Sequence, residues 1–246
     1  MNKTKLLLAI FAGIVVIISA WLLSQGAKKF REGNPSINVT GMAEKQITSD
    51  LIVWNLTLKA KKDMRATAYA EYKRVAQVLR QYLKKQGIPD SCLSASSVDI
   101  NHDTRDVYNP KTQRYDTYDD GYSVSQVFTV RSGNVAQVEG VYQNISELYN
   151  EGLDFSSNAP LYYYTKLNDL KMEMLNKASA NAYDRAQTIA NGSHAGIGAM
   201  QSSSMGVFQI VGLNSEEEYS WGGTFNTSSK EKVASITVRT TYEVKN

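Results

Sequence analysis

Residues 51–60 read LIVWNLTLKA, with Ile52, Trp54, Leu56 and Leu58 alternating with Val53, Asn55, Thr57 and Lys59. Successive side chains of a β-strand point to opposite faces, so this pattern gives one apolar face and one mainly polar face. Such a strand belongs in an antiparallel sheet with one side covered. Residues 37–47 read as a second strand and Thr48-Ser49-Asp50 as a turn, which predicts a hairpin between the two.

Something must cover the apolar face, and the next segment has the right period. Residues 64–86 place Tyr69, Tyr72, Val75, Ala76, Leu79, Tyr82 and Leu83 at helical spacing. Asp63 is the predicted N-cap, and Gly87 with Pro89 supplies the stop. Two strands follow, 93–103 and 121–131. In the second, Tyr122, Val124, Gln126, Phe128 and Val130 alternate with Ser123, Ser125, Val127 and Thr129. The polar, tyrosine-rich stretch 104–120 between them reads as a loop. A helix over 134–150, closed by Gly152, precedes a strand over 153–165 that contains Tyr162, Tyr163 and Tyr164.

The longest helix is predicted over 166–190, its stripe being Leu167, Leu170, Met174, Ala178, Ala182, Ala186 and Ile189. Alanines at these positions call for close approach of the helix backbone to a sheet. Strands over 201–211 and 232–245 end the chain, joined by a 20-residue loop, a length that usually marks function or disorder. Helix, Gly-Ile, strand, polar loop and strand occur at 64–131 and again at 166–245. The expected fold is therefore α+β: antiparallel sheets packed by three main helices in two related βαββ-like halves, plus one N-terminal transmembrane helix.

That N-terminal helix rests on residues 6–23, LLLAIFAGIVVIISAWLL, 18 positions without a charge. As a helix they span about 27 Å, close to the roughly 30 Å hydrocarbon core of a bilayer. A cleaved secretory signal is the rival reading, but the best cleavage point, after Ala20, has bulky Ile18 at −3 and more apolar residues beyond. The expected organisation is an uncleaved anchor with its flanks at 1–31, a linker at 32–35 and one α+β domain at 36–246. Lys3 and Lys5 precede the run, and Lys28, Lys29 and Arg31 follow it. Charge alone therefore leaves the orientation open.

Five of the 27 basic residues and none of the 24 acidic ones lie in 1–31, leaving 22 against 24 for the remainder. The formal +3 belongs to the anchor and gives no support to nucleic-acid binding. Cys92 is the only cysteine, so no disulfide forms within the chain.

Catalytic signals are sparse. His102 with Asp103 and Asp106 lacks the converging ligands of a metal site. His194 reads as a cation at a helix end. No Gly-x-Ser-x-Gly elbow or phosphate loop occurs, and Gly196-Ile197-Gly198 follows a helix, the wrong context for a nucleotide fold. Glu216, Glu217 and Glu218 read as a solvated loop. No catalytic, metal or cofactor-binding residue is assigned, and no cofactor is expected. Fifteen tyrosines against six phenylalanines are the more useful signal, because tyrosine is enriched at interfaces. Tyr108, Tyr115, Tyr118, Tyr162, Tyr163 and Tyr164 form the candidate interaction surface, the alternative being core and rim positions of the sheet.

The order of elements and several short motifs resemble the SIMPL-domain family of bacterial envelope proteins. The motifs are Ile37-Asn38-Val39-Thr40-Gly41, Asp50, Gly87-Ile88, and Tyr122-Ser123-Val124-Ser125-Gln126. Ala178, Ala182, Asp184-Arg185-Ala186, Ile189-Ala190 and Gly196-Ile197-Gly198 complete the set. The resemblance implies an α+β domain exported across the inner membrane, a link to oxidative-stress tolerance, and ring-like self-assembly. It implies no active site. A retained anchor and the stretches 104–120 and 212–231 depart from the family pattern. The resulting expectation is a single-pass protein of the bacterial inner membrane, held through residues 6–23 with its domain in the periplasm. It acts without catalysis, as a homo-oligomer with no nucleic-acid partner. A ligand- or client-binding module using the tyrosine-rich segments is the alternative, and an uncharacterised hydrolase is the third class.

Overall fold

A computed structural model describes residues 11, 13–24 and 35–245 of the chain. Among them lie four helices and ten strands in an α+β arrangement with antiparallel sheets. Helix α1 covers 13–24. No helix among the described residues is long and apolar enough to cross a membrane. Part of the 6–23 run, at 6–10 and 12, lies outside the described residues, as does the expected linker apart from Pro35.

The chain divides into two compact units, one of 1–42, 176–206 and 237–246, the other of 43–175 and 207–236. Strands β1 (Ser36–Thr48) and β10 (Glu231–Lys245) and helix α4 (Leu167–Gly192) contribute to both.

In the second unit, β2 (Leu51–Lys62) pairs with β5 (Arg114–Ser132) from Ile52 opposite Ser132 to Lys62 opposite Tyr122. Strands β3 (Leu93–Ala95) and β4 (Asp99–Asn109) flank β5, while β6 (Asp154–Ser157) and β7 (Leu161–Tyr163) flank β2. Ile52, Trp54, Leu56 and Leu58 are fully buried, as the alternation requires. Helix α2 (Arg65–Lys85) covers them with Ala68, Tyr72, Val75, Leu79 and Leu83, and α3 (Val135–Asn144) adds Val138 and Val141. The Trp54 indole N–H still needs an acceptor there, and Ser157 Oγ accepts it at 2.9 Å.

In the other sheet, β10 lies between β1 and the pair β8 (Gly196–Met205) and β9 (Gln209–Gly212). The sequence echo has a structural counterpart. Each sheet places its first strand beside its last, with the strand that follows the helix on the far side: β2-β5-β3/β4 in one, β1-β10-β8 in the other.

Several expectations are corrected. β1 and β2 do not form a hairpin, because the turn's backbone groups are used elsewhere. The Ser49 N–H donates to the Lys230 carbonyl and the Asp50 N–H to the Tyr163 carbonyl, both at 3.0 Å. β1 pairs with β10 instead, the Pro35 carbonyl accepting from the Val244 N–H at 2.9 Å. Asp63 does not cap α2; Met64 occupies the N-cap with no side-chain bond. Tyr69 and Ile189 are exposed, since four-residue steps from Tyr72 and Ala186 reach Ala68 and Ala190, both buried. The helix predicted over 134–150 ends at Asn144 and continues as a 3-10 turn, Ile145–Glu151. The strand over 153–165 is two short strands separated at Pro160.

The alanine stripe of α4 has the expected consequence in the first unit. A Cβ on Gly41 of β1 would lie 2.1 Å from the Ala178 carbonyl oxygen and 2.4 Å from the Ala182 nitrogen. Backbone meets backbone here, and neither side can yield without moving the element. Gly41→Ala is therefore expected to lower stability by about 3 kcal/mol or more, at or beyond the upper end of overpacking costs. Gly140→Ala in α3, where an added methyl meets nothing within 4 Å, is expected to raise stability by about 0.5–1 kcal/mol. Urea denaturation midpoints of the two variants distinguish a steric requirement from general sensitivity.

Candidate functional site

β5 outlasts β2. Pairing with β2 ends at Lys62 and Tyr122, and Gly121 follows on the strand's outward run with φ +82°. A Cβ at Gly121 would sit 2.7 Å from the Lys62 carbonyl oxygen, so only glycine lets the chain leave the sheet here. Beyond it β4 and β5 continue alone as a two-stranded ribbon, with Thr104 opposite Asp119 and Tyr108 opposite Tyr115. The expected loop 104–120 is this ribbon. Its Thr, Tyr and Val residues favour strands, and its polar side chains pair across it. Thr117 Oγ1 donates to Asp106 Oδ1 at 2.6 Å, and Asn109 Nδ2 to Asp116 Oδ2 at 2.8 Å.

Alternation sorts the ribbon tyrosines. Tyr108 and Tyr115 share a face, their ring centroids 5.4 Å apart at 61°. Tyr118, opposite Arg105, belongs to the other face with Val107. The three are 51%, 70% and 49% exposed. At the ribbon's root Lys61 lies 2.5 Å from Asp120 and 3.4 Å from Asp103. His102 stacks on Tyr122 with its Nε2 3.2 Å from Asp119 Oδ1. The Gly121 N–H and then His102 hold the Asp119 carboxyl below its usual range.

Tyr162, Tyr163 and Tyr164 lie elsewhere. β7 pairs with Leu51–Val53, level with the Ser132 end of β5. The ribbon turn is at the Arg114 end, up to about 60 Å away along the strand at roughly 3.3 Å per residue. The six tyrosines thus form two separate groups. Tyr162 is half-buried, and its hydroxyl is pushed up to about 12 by burial first and by Glu139 second.

Tyr162 also leads to a residue that sequence reasoning missed. Lys232 on β10 is only 2% exposed. Its Nζ donates to the carbonyls of Tyr162 and Asn226, each at 2.7 Å. Burial lowers its pKa to about 8, against a smaller opposing pull from Glu217. The signal was present: Lys232 falls in phase with Ala234, Ile236, Val238 and Tyr242, the buried positions of β10. An ammonium held by two carbonyls acts as a clamp, tying β7 to the segment after β9.

That segment, expected as a 20-residue loop, is tied down by its own side chains. Glu217 accepts from the Gly212 N–H at 3.0 Å and from Asn226 Nδ2, which keeps its carboxyl below the usual range. The Ser229 N–H donates to Asn226 Oδ1 at 2.8 Å. Among the described residues, no group of three His, Cys, Asp or Glu side chains is placed to hold a metal ion.

The pH dependence of the clamp has a definite sign. Lys232 titrates near 8 in the folded chain and near its ordinary value, about 10.4, unfolded. The unfolded state therefore binds more protons between these values, and stability rises with pH across that window. Tyr162 acts oppositely, because a hydroxyl that titrates near 12 when folded costs stability above about pH 10. Melting temperatures between pH 7.5 and 10 are expected to climb more for the native chain than for Lys232→Met. Parallel profiles of the two would refute the assignment.

The residues that carried the family resemblance sit at structural junctions. Gly41 meets Ala178 and Ala182. Arg185 Nη1 donates to the Thr40 carbonyl at 2.9 Å. Asp50 receives the Thr165 N–H at 2.7 Å and the Thr165 hydroxyl at 2.8 Å, just ahead of α4. A family model described as "SIMPL: Protein of unknown function (DUF541)" matches residues 37–245. None of the curated proteins matches the chain. With the match covering nearly the whole folded part, the chain belongs to the SIMPL family.

Proposed function

We propose that this SIMPL protein is a membrane-tethered, extracytoplasmic envelope protein that acts without catalysis, through homo-oligomeric assembly. The observation that carries the tether is the surface of α1. Ile14, Val15, Val16, Ile17, Ile18, Trp21, Leu22 and Leu23 are all exposed, on every side of the helix. An all-round apolar helix needs a non-aqueous surround. Within the apolar run, Ser19 turns its hydroxyl back to the Val15 carbonyl at 2.8 Å, as suits such a setting.

Assembly follows from the tether by concentration. Confinement to two dimensions raises the effective concentration of subunits, so a weak lateral contact becomes sufficient. Export to the periplasmic side and a part in oxidative-stress tolerance come from the family resemblance. The role is one of scaffolding, in which the charged clamps hold the fold and the exposed surfaces make contacts.

A second reading has its own observation. The Tyr108–Tyr115 pair stands on a ribbon that projects past its sheet, with both rings open to solvent. Rigid aromatic pairs of this kind supply contact area at low entropic cost, which suits capture of a client protein in the envelope.

Mass measurement separates the readings. The full-length protein in detergent is expected to run as a multimer at micromolar concentration. A chain beginning at Gly33 is expected to shift toward the monomer and to leave the membrane fraction. A full-length monomer at that concentration would end the assembly reading. Loss of a crosslinked partner on Tyr108→Ser with Tyr115→Ser, at unchanged circular dichroism, would establish the client reading in its place.

A further inference from the structure

Trp221 is 98% exposed, the most of any large apolar side chain among the described residues. A tryptophan left in water forgoes the burial of roughly 150–250 Å² of ring surface. Here the interior of the second unit is arranged to hold the residue there. Gln209 of β9 is buried, and both ends of its amide are spent on the turn that carries Trp221. Its Nε2 donates to the Ser220 carbonyl and its Oε1 accepts from the Thr224 N–H, both at 2.7 Å.

Between those two points the turn closes on itself. The Gly223 N–H donates to the Ser220 carbonyl at 3.1 Å and the Gly222 N–H to Ser220 Oγ at 3.3 Å. Gly223 has φ +93°, and a Cβ there would lie 2.9 Å from the Phe208 carbonyl oxygen. Ahead of the turn, Thr224 Oγ1 donates to the Glu218 carbonyl at 3.2 Å, and Glu217 is held by Gly212 and Asn226. A buried amide is costly unless all its bonds are made, and this one makes them to a surface turn. The backbone is thus fixed on both sides of an indole that buries almost nothing within the chain. A fixed, exposed aromatic loses little entropy when it is covered, which is the property of an interface hot spot.

The surrounding charge says what covers it. Residues 212–229 contain three glutamates and no lysine or arginine. Glu217 is spent inside the loop, whereas Glu216 and Glu218 are exposed and have no ion pair among the described residues. Tyr219, 60% exposed, follows them directly. Lys171, at the root of the loop, lies over the Phe208 ring, 5.7 Å from its centroid. An indole face beside unpaired carboxylates attracts a cation with an apolar stem, which describes arginine and lysine. An anionic bilayer surface would be repelled by the same carboxylates.

We propose that the tip 216–221 docks a basic, extended peptide segment of another protein. An arginine or lysine of that segment lies over Trp221, and Glu216 and Glu218 answer its charge. The tip belongs to a stretch that departs from the family pattern, so the site is particular to this chain. It requires neither assembly nor the tyrosine ribbon, and its failure leaves both of those readings as they stand.

The test uses the full-length protein in a neutral detergent and a fluorescently labelled peptide, Gly-Arg-Leu-Arg-Gly. Anisotropy is expected to saturate, and the native protein's tryptophan emission to shift to the blue. Trp221→Ser is expected to weaken the peptide about tenfold or more with an unchanged melting temperature, because the side chain packs on nothing. Glu216→Gln with Glu218→Gln is expected to weaken it about threefold, a loss that shrinks in high salt. No saturation at millimolar peptide overturns the site, as does equal affinity of Trp221→Ser. Equal binding of Gly-Glu-Leu-Glu-Gly overturns the charge assignment and the basic partner with it. In vesicles of brominated phosphatidylcholine, the native minus Trp221→Ser emission is expected to be unquenched. Strong quenching there would put the indole in the bilayer and overturn the peptide site.

Discussion

The contact between Gly41 and the Ala178–Ala182 backbone governs much of what this chain presents to its surroundings. A glycine on the strand and alanines on the helix let the two approach until any added carbon would overlap a carbonyl oxygen. That closeness has a polar consequence as well as a steric one. It brings Asn181 and Arg185 within reach of β1's outward backbone groups. Buried or half-buried backbone groups need partners, and here a helix supplies them to a strand edge. A bulkier residue at position 41 would lift the helix and release both bonds together.

The two sheets share a strand order and differ in how their margins are finished. In the sheet built on β2, the outer strand β4 is charged and runs on into a ribbon, with the tyrosines displayed beyond the core. Gly121 is the hinge point, since its positive φ and lack of a Cβ allow the departure. In the sheet built on β10, the equivalent outer strand β8 is uncharged and unadorned. One plan of βαββ thus yields one margin lined with charge and one without it. The difference lies in side chains, because the backbone order is the same.

What could be read in advance divides along the same line between local and distant causes. The alternation of β2 and β5, the stripe of α2 apart from Tyr69, and the close-packing alanines of α4 are local patterns that the folded chain uses. The expected β1–β2 hairpin failed because strand, turn and strand is also a local pattern, whereas β1's partner lies about 200 residues away. The ribbon reads as a loop in sequence because asparagine, aspartate and threonine look polar one by one; across two strands they become hydrogen-bonded pairs. The six tyrosines looked like one surface because sequence carries no distance between 118 and 162. Lys232 was hidden by its charge, although its phase within β10 placed it among buried residues. Periodicity is the better witness there, and the carbonyls that accept its hydrogen bonds can only be found in three dimensions.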